Sequence, residues 1–358
     1  MEAPVTEDVW SEQDTNPDAI EAALRTLLRR RHAESENLAP ARVLNLVVIL
    51  DREWKGEISN RLERVGRYHA SRTVVCAIEE GREKLDATAT VSYDDPGRGK
   101  IGVMHELVEI DLGPKHLDAL QTIVDPVLAS EMSTVVWSPH GHERAVERLL
   151  PLVDVILLDS DDQADPADAF HRAGTLCADV YVVDLAWLRT TPWRERLAAS
   201  FDLDSRAAML WGMDALEVRH QESSTASGLL LTGWLASRLG WSEWSPLREG
   251  ERGELVGAAA RAGGEVRLAL SVRGQEAPGL GGVTVSCAHG SELSLQRGAG
   301  GLDASERTDD GELREWKILG ASRGEGGILG EGVRQALLRD PTYDPALRAA
   351  QGLCPVAG

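Results

Sequence analysis

"STVVWSPHGHERAVERLLPLVDVILLDS", Ser133 to Ser160, decides the architecture of the first half of this chain. "STVVWSP" is a short apolar run closed by Ser-Pro, "ERAVERLL" has helical spacing, and "VDVILLDS" is a second apolar run ending on acidic residues. Two buried strands joined by one short helix must lie parallel, because only a crossover returns the chain to the same end of a sheet.

Outward from this unit the pattern repeats. Upstream, "ARVLNLVVIL" and "SRTVVCAIEE" read as buried strands, separated by a segment that puts Trp54, Ile58, Leu62 and Val65 on one helical face. Ile20, Leu24, Leu27 and Leu28 mark an amphipathic helix before them. Residues 86–93 and 102–110 form an expected antiparallel pair around the turn "YDDPGRGK". Leu117, Leu120, Val124, Val127 and Leu128 give another helical face, "DPADAFHRAGTLCA" a helix capped by Asp165, and "VYVVDLA" a further strand.

The second half differs. "DALEVRHQ" alternates as a half-buried strand, and "SSTASGLLLTGWLASRLGW" is an apolar helix ending at Gly240. From Glu249 to Lys317 short alternating runs split by glycines predict antiparallel hairpins, followed by the helix "ILGEGVRQALL". The expected fold is α/β: a mostly parallel helix-covered sheet in the N-terminal domain, with a C-terminal α+β domain containing an antiparallel sheet. The divisions are 1–38 (tail and amphipathic helix), 39–205, 206–347 and a tail at 348–358.

A net charge of −20, from 58 acidic and 38 basic residues, opposes binding to nucleic acid or anionic membrane. The acidic N-terminus has no apolar core for a leader peptide, and no uninterrupted apolar run is long enough to span a bilayer. Cys76, Cys177, Cys287 and Cys354 show no CxxC spacing, which suits a reducing cytoplasm.

Motifs for chemistry are sparse. The first strand-to-helix turn, "ILDREWKGE", is acidic and bulky where a phosphate cradle needs glycines, so no nucleotide cofactor is expected. His140 and His142 lack a third ligand of matching spacing, so no metal is expected either. "DSDDQADPAD" lacks the order of a calcium loop and reads as capping and solubility. No catalytic residue is nominated.

The least ordinary line is "DLAWLRTTPWRERLAASFD", Asp184 to Asp202. With Thr191 as cap and Pro192 as first helical residue, Trp187 and Arg189 fall in a loop at the carboxyl edge of the sheet. Trp137 reaches the same edge. Tryptophan and arginine without a nucleophile suit protein docking, so Trp137, Trp187, Arg189, Pro192, Trp193 and Arg194 are the candidate partner-binding residues.

This stretch resembles the Asp-Leu-x-Trp-x-Arg-x-x-Pro-Trp-Arg-Glu signature of the OpcA family, the glucose-6-phosphate dehydrogenase assembly proteins. "MSTVVWSP" with the strand closing on Asp-Ser, "LLLTGWLASRLGW" and "EGVRQALLRDPTYDPAL" are similar to further family segments in the same order. The likeness runs from about residue 40 to 347. Ala186 stands where the family often has Asn, and Val136 where it has a second Trp. The resemblance implies a non-enzymatic partner that binds glucose-6-phosphate dehydrogenase, favours its active oligomer and raises its activity in the oxidative pentose phosphate pathway. The alternative is a sugar-phosphate-binding protein or enzyme using the carboxyl edge of the N-terminal sheet.

Overall fold

A computed structural model describes residues 5–34, 38–40, 42–66, 71–94, 102–202, 204–320 and 325–355. The elements in chain order are β1 (Val5–Glu12), α1 (Pro17–Glu34), β2 (Leu38–Pro40), β3 (Leu44–Asp51), α2 (Lys55–Gly66), β4 (Ser71–Ile78), β5 (Asp86–Asp94) and β6 (Gly102–Leu112). There follow α3 (Leu120–Val124), β7 (Thr134–Trp137), α4 (Glu143–Leu149), β8 (Val155–Leu158), α5 (Pro166–Leu176), β9 (Tyr181–Asp184), α6 (Leu185–Phe201) and α7 (Asp204–Trp211). The remainder is β10 (Met213–His220), α8 (Thr225–Leu239), β11 (Arg248–Glu249), β12 (Leu255–Arg261), β13 (Gly264–Val272), β14 (Leu280–Cys287), β15 (Glu292–Gly298), β16 (Gly301–Arg307), β17 (Leu313–Leu319), α9 (Glu325–Gln335) and α10 (Tyr343–Leu353).

The chain divides into two compact units: Met1–Leu158 with Val180–Val183 and Val333–Leu337, and Asp159–Asp179 with Asp184–Gly332 and Leu338–Gly358. This grouping differs from a cut at 205/206, because α5 and α6 belong with the second unit.

The first unit holds the sheet ordered β1-β5-β6-β4-β3-β7-β8-β9, with β2 paired to β6. β6, β4, β3, β7 and β8 are parallel neighbours, and β1 and β5 add an antiparallel flank. β3 lies between β4 and β7 and is buried from Leu44 to Leu50, which is why its sequence is apolar without alternation from Leu46 to Leu50. The order from β6 to β9 is that of a doubly wound nucleotide-binding sheet. Its first turn, however, is a short 3-10 helix at Arg52–Trp54, with Trp54 5.5 Å from the His140 ring and His142 Nε2 3.2 Å from Asp51. The helix expected from Leu117 to Leu128 is broken into α3 between two 3-10 turns. Residues 95–100 of the expected turn "YDDPGRGK" lie outside the described residues.

In the second unit the sheet is ordered β11-β12-β13-β10-β14-β15-β16-β17. Its neighbours are antiparallel except β10 and β13, which run parallel because β10 inserts between β13 and β14. One face of this sheet carries Leu216, Val218, Leu268, Leu270, Val283 and Val285, all buried. α8 packs against it, with Gly228 set against His220 and Leu270. α10, which falls partly in the segment read as a tail, is a packed helix: Leu353 is buried and Gln351 Nε2 donates to the Phe170 carbonyl of α5 at 2.8 Å. α10 also lies against α8 at Gly233, where an added Cβ would collide with the Ala346 carbonyl oxygen and sit 2.8 Å from the Ala350 nitrogen.

Candidate functional site

The signature segment is helical from Leu185, and its cap is Asp184, not Thr191. Asp184 Oδ1 accepts from the Ala186 amide at 2.9 Å, which satisfies one of the amides a helix start leaves open. Pro192 lies inside the helix instead of at its first position. Thr190 and Thr191 do not cap; their hydroxyls accept from Arg194 Nε and Nη2, each at 3.0 Å. Trp187 therefore sits in the first turns of α6, not in a loop.

Asp184 is wholly buried and collects three further bonds within the second unit. The Ser160 amide donates to Oδ1 at 3.1 Å, the Ser160 hydroxyl to Oδ2 at 2.6 Å, and the Tyr343 hydroxyl to Oδ2 at 3.0 Å. Burial, reinforced by nearby Asp159, pushes its carboxyl up to about 6 against the pull of these donors. Burial and Asp184 likewise hold the Tyr343 phenol well above its ordinary value.

Arg189 grips Asp159 with two parallel bonds, Nη1 to Oδ1 at 2.7 Å and Nη2 to Oδ2 at 2.6 Å. Its Nη1 also lies 3.6 Å from Asp161 Oδ2. Asp161 accepts from the Ser227 amide at 3.0 Å and from the Ser227 hydroxyl at 2.6 Å, so it serves the first turn of α8 much as Asp184 serves α6. Burial and the Asp159 charge push Asp161 up to about 7, with Arg189 and Ser227 opposing. Two carboxylates are thus fixed at two helix starts, where the partial positive charge favours them.

Trp187 is 2 % exposed, and its Nε1 donates to Asp340 Oδ2 at 2.9 Å. The Arg194 guanidinium lies over the indole, 3.5 Å from its centroid, and Tyr343 packs at 5.7 Å on a tilt. Arg194 Nη1 is 3.6 Å from Asp340. Burial lowers Arg194 to about 10, with Asp340 opposing. Burial would raise Asp340, yet donation from Thr342 and Trp187 and the charge of Arg194 leave it below its ordinary value.

Of the six residues expected at a partner surface, the structure brings Trp187 and Arg194 into contact and sets Arg189 on Asp159. Trp193 is buried at another position of α6 and Pro192 is half-buried. Trp137 ends β7 in the first unit, also buried. Trp137, Trp187 and Trp193 are thus enclosed, whereas Arg189, Pro192 and Arg194 keep part of their surface. Sequence reasoning passed over Asp159, Ser160, Asp161, Ser227, Asp340 and Tyr343. The signal available was an Asp-Ser-Asp following a buried strand, which places acids where no water reaches them. Among the described residues no three His, Cys, Asp or Glu side chains converge as a metal site, and no helix is long and apolar enough to cross a membrane.

Residues 62–175 match the family described as glucose-6-phosphate dehydrogenase subunit N-terminal domain, and residues 180–347 the corresponding C-terminal domain. The chain is similar to the "Putative OxPP cycle protein OpcA" of Synechococcus elongatus, at 30 % identity over 40 % of this chain and 34 % of that protein. It is also similar to the protein of the same name from Synechocystis, at 28 % identity over 35 % of this chain and 27 % of that protein. The matched stretch is thus about a third of the length of these relatives. In chain trace it is similar to a super-repressor mutant of Gal80p from Saccharomyces cerevisiae, with TM-score 0.45 and 10 % identity over 81 % of this chain and 82 % of that one. Apo scyllo-inositol dehydrogenase from Lactobacillus casei gives TM-score 0.43 and 10 % identity over 87 % and 96 %. The two family matches together cover most of the chain and reach into both compact units, and the signature on α6 falls inside the second match: the chain belongs to the OpcA family.

Proposed function

We propose that this chain is a non-enzymatic partner of glucose-6-phosphate dehydrogenase that favours the enzyme's active assembly, and so serves the oxidative pentose phosphate pathway. The observation that carries this reading is the pair of family matches, both described as parts of a glucose-6-phosphate dehydrogenase subunit, across residues 62–175 and 180–347. The signature cluster supports it: the polar groups of Asp184, Arg189 and Asp161 are bonded to neighbours within the chain, an arrangement that fixes helix starts. In this reading Trp187, Arg189, Trp193 and Arg194 position the surface that meets the enzyme and do not themselves touch it. The four free cysteines fit a reducing cytoplasm.

Activation requires tighter binding to the active form of the enzyme than to the inactive one, with a coupling of about 1–3 kcal/mol as the usual scale. The test mixes the purified chain with glucose-6-phosphate dehydrogenase and follows NADP reduction and particle size. Faster turnover with a larger enzyme assembly is expected. Unchanged kinetics and size, with a thermal shift of the chain by a sugar phosphate alone, would replace this reading with a sugar-phosphate site.

A further inference from the structure

We infer that β17 is the seam of a twofold dimer in which two copies of this chain join edge to edge, making one sheet continuous across both. This inference stands apart from the reading above. β17 ends its sheet: β16 pairs with one side, and among the described residues no strand pairs with the other. Leu313 and Leu319 on it are 55 % and 75 % exposed.

The backbone fixes which residues face outward. The Thr308 amide donates to the Glu312 carbonyl and the Gly320 amide to the Gly300 carbonyl, so the even-numbered residues of this strand turn their polar groups toward β16. The amides and carbonyls of Leu313, Glu315, Lys317 and Leu319 therefore point away from it, ready for another strand. An antiparallel copy must oppose odd-numbered residues to odd-numbered residues, which a twofold axis on any residue of the strand does, but an axis at Glu315 or Lys317 sets that charge against itself.

With the axis at Trp316, the strand "LREWKIL" complements itself. Glu315 opposes Lys317 of the second copy and Lys317 opposes its Glu315, on the same sheet face as Leu313 against Leu319. Each of these pairs exchanges both backbone bonds. Trp316 meets its own copy on the other face, in the closer, non-hydrogen-bonded kind of pair, where aromatic side chains interact well. An axis at Arg314 sets Leu313 against Glu315, and one at Ile318 sets Lys317 against Leu319. Only the Trp316 axis pairs opposite charges and apolar side chains together. The chain as a whole carries −20 and repels its copy, yet this strand has Arg314 and Lys317 against Glu315 alone. A lysine on a free edge commonly guards it against pairing; here Glu315 in the opposing position neutralises it. Within the chain Lys317 reaches Asp303 at 3.6 Å and stays well exposed, free to reorient.

Sedimentation velocity on the full chain across micromolar concentrations tests the seam. The wild type is expected to form a reversible dimer. Glu315→Lys and Lys317→Glu each bring like charges together twice, weakening the dimer by about tenfold or more. The double exchange, Glu315→Lys with Lys317→Glu, restores it. Both substitutions lie on exposed side chains, and unchanged melting of dilute samples of the three variants verifies the fold. A monomer at every concentration, or a dimer indifferent to the single changes, overturns the inference. So does loss of co-sedimentation with glucose-6-phosphate dehydrogenase in the single and double variants of a chain that is monomeric alone, because the edge would then belong to the enzyme.

Discussion

Trp187 is held twice, by the Arg194 guanidinium on its face and by Asp340 on its N–H. Trp187→Phe keeps most of the ring packing but removes the donor, leaving Asp340 one partner short in a half-buried place. A loss of about 1.5–3 kcal/mol is expected for a bond to a charged acceptor, read as a lower urea midpoint with an unchanged slope. Folded Trp187→Phe protein should activate the dehydrogenase as the wild type does; a folded but inactive variant would return Trp187 to the partner contact. At this scale the sequence was read for composition and missed placement. Thr-Pro invited a helix start at Pro192, whereas the stronger cap was Asp184, a residue whose partners Ser160 and Tyr343 lie far away in sequence. The aspartates at 159 and 161 looked like a solvated run because nothing local announces Arg189 or Ser227 as their partners.

Elements declared themselves when their burial was written in their own residues. β3 is an unbroken apolar run from Leu46 to Leu50, and α8 ends at Gly240, where φ is +65° and a glycine is wanted. β1 and α10 did not. β1 is an acidic strand with mostly exposed side chains, recognisable only by its pairing with β5. α10 buries small residues, Ala346 and Ala350, whose apolar signal is weak, and its burial depends on Gly233 of α8 letting the two helices close. Gly233→Ala would gain helix propensity and still lose overall, since the methyl group meets backbone atoms that do not yield. About 1–3 kcal/mol of destabilisation is expected, seen as a fall in the thermal midpoint. Gly240→Ala, set in open space but at positive φ, is the comparison that separates crowding from backbone strain.

For the whole molecule, the raised carboxyls set an uncommon pH response. Unfolded, Asp161 and Asp184 titrate near about 3.9. Folded, they hold protons up to about 7 and about 6, so between these limits the folded chain binds more protons than the unfolded one. Stability therefore falls as pH rises through that window and is fully reduced above it. Burial keeps His142 and His220 below the ordinary imidazole value, an effect that removes stability below about pH 6.5, where the unfolded imidazoles charge. From pH 8 to pH 6.5 the two carboxyls by themselves raise the unfolding free energy by about 1 kcal/mol and the two imidazoles offset part of it, so the net climb should stay below that figure before stability declines at lower pH. Urea titrations across that range measure it, and Asp161→Asn should flatten the climb while leaving the decline. A climb unchanged in that variant would remove Asp161 as its source. The fold class was legible at this scale because alternating strands and helices leave few arrangements; the allotment of α5 and α6 to the second unit was not, since their sequences name no neighbour.

The bond from Tyr343 to Asp184 joins residues made far apart in time on the ribosome. Until the segment carrying α10 emerges, Asp184 is without one of its donors and α8 lacks the helix that covers Gly233. The nascent second unit must wait with an acidic, half-built interior. A chain interrupted just after Leu338 should stall there, as a protease-sensitive species in need of a chaperone.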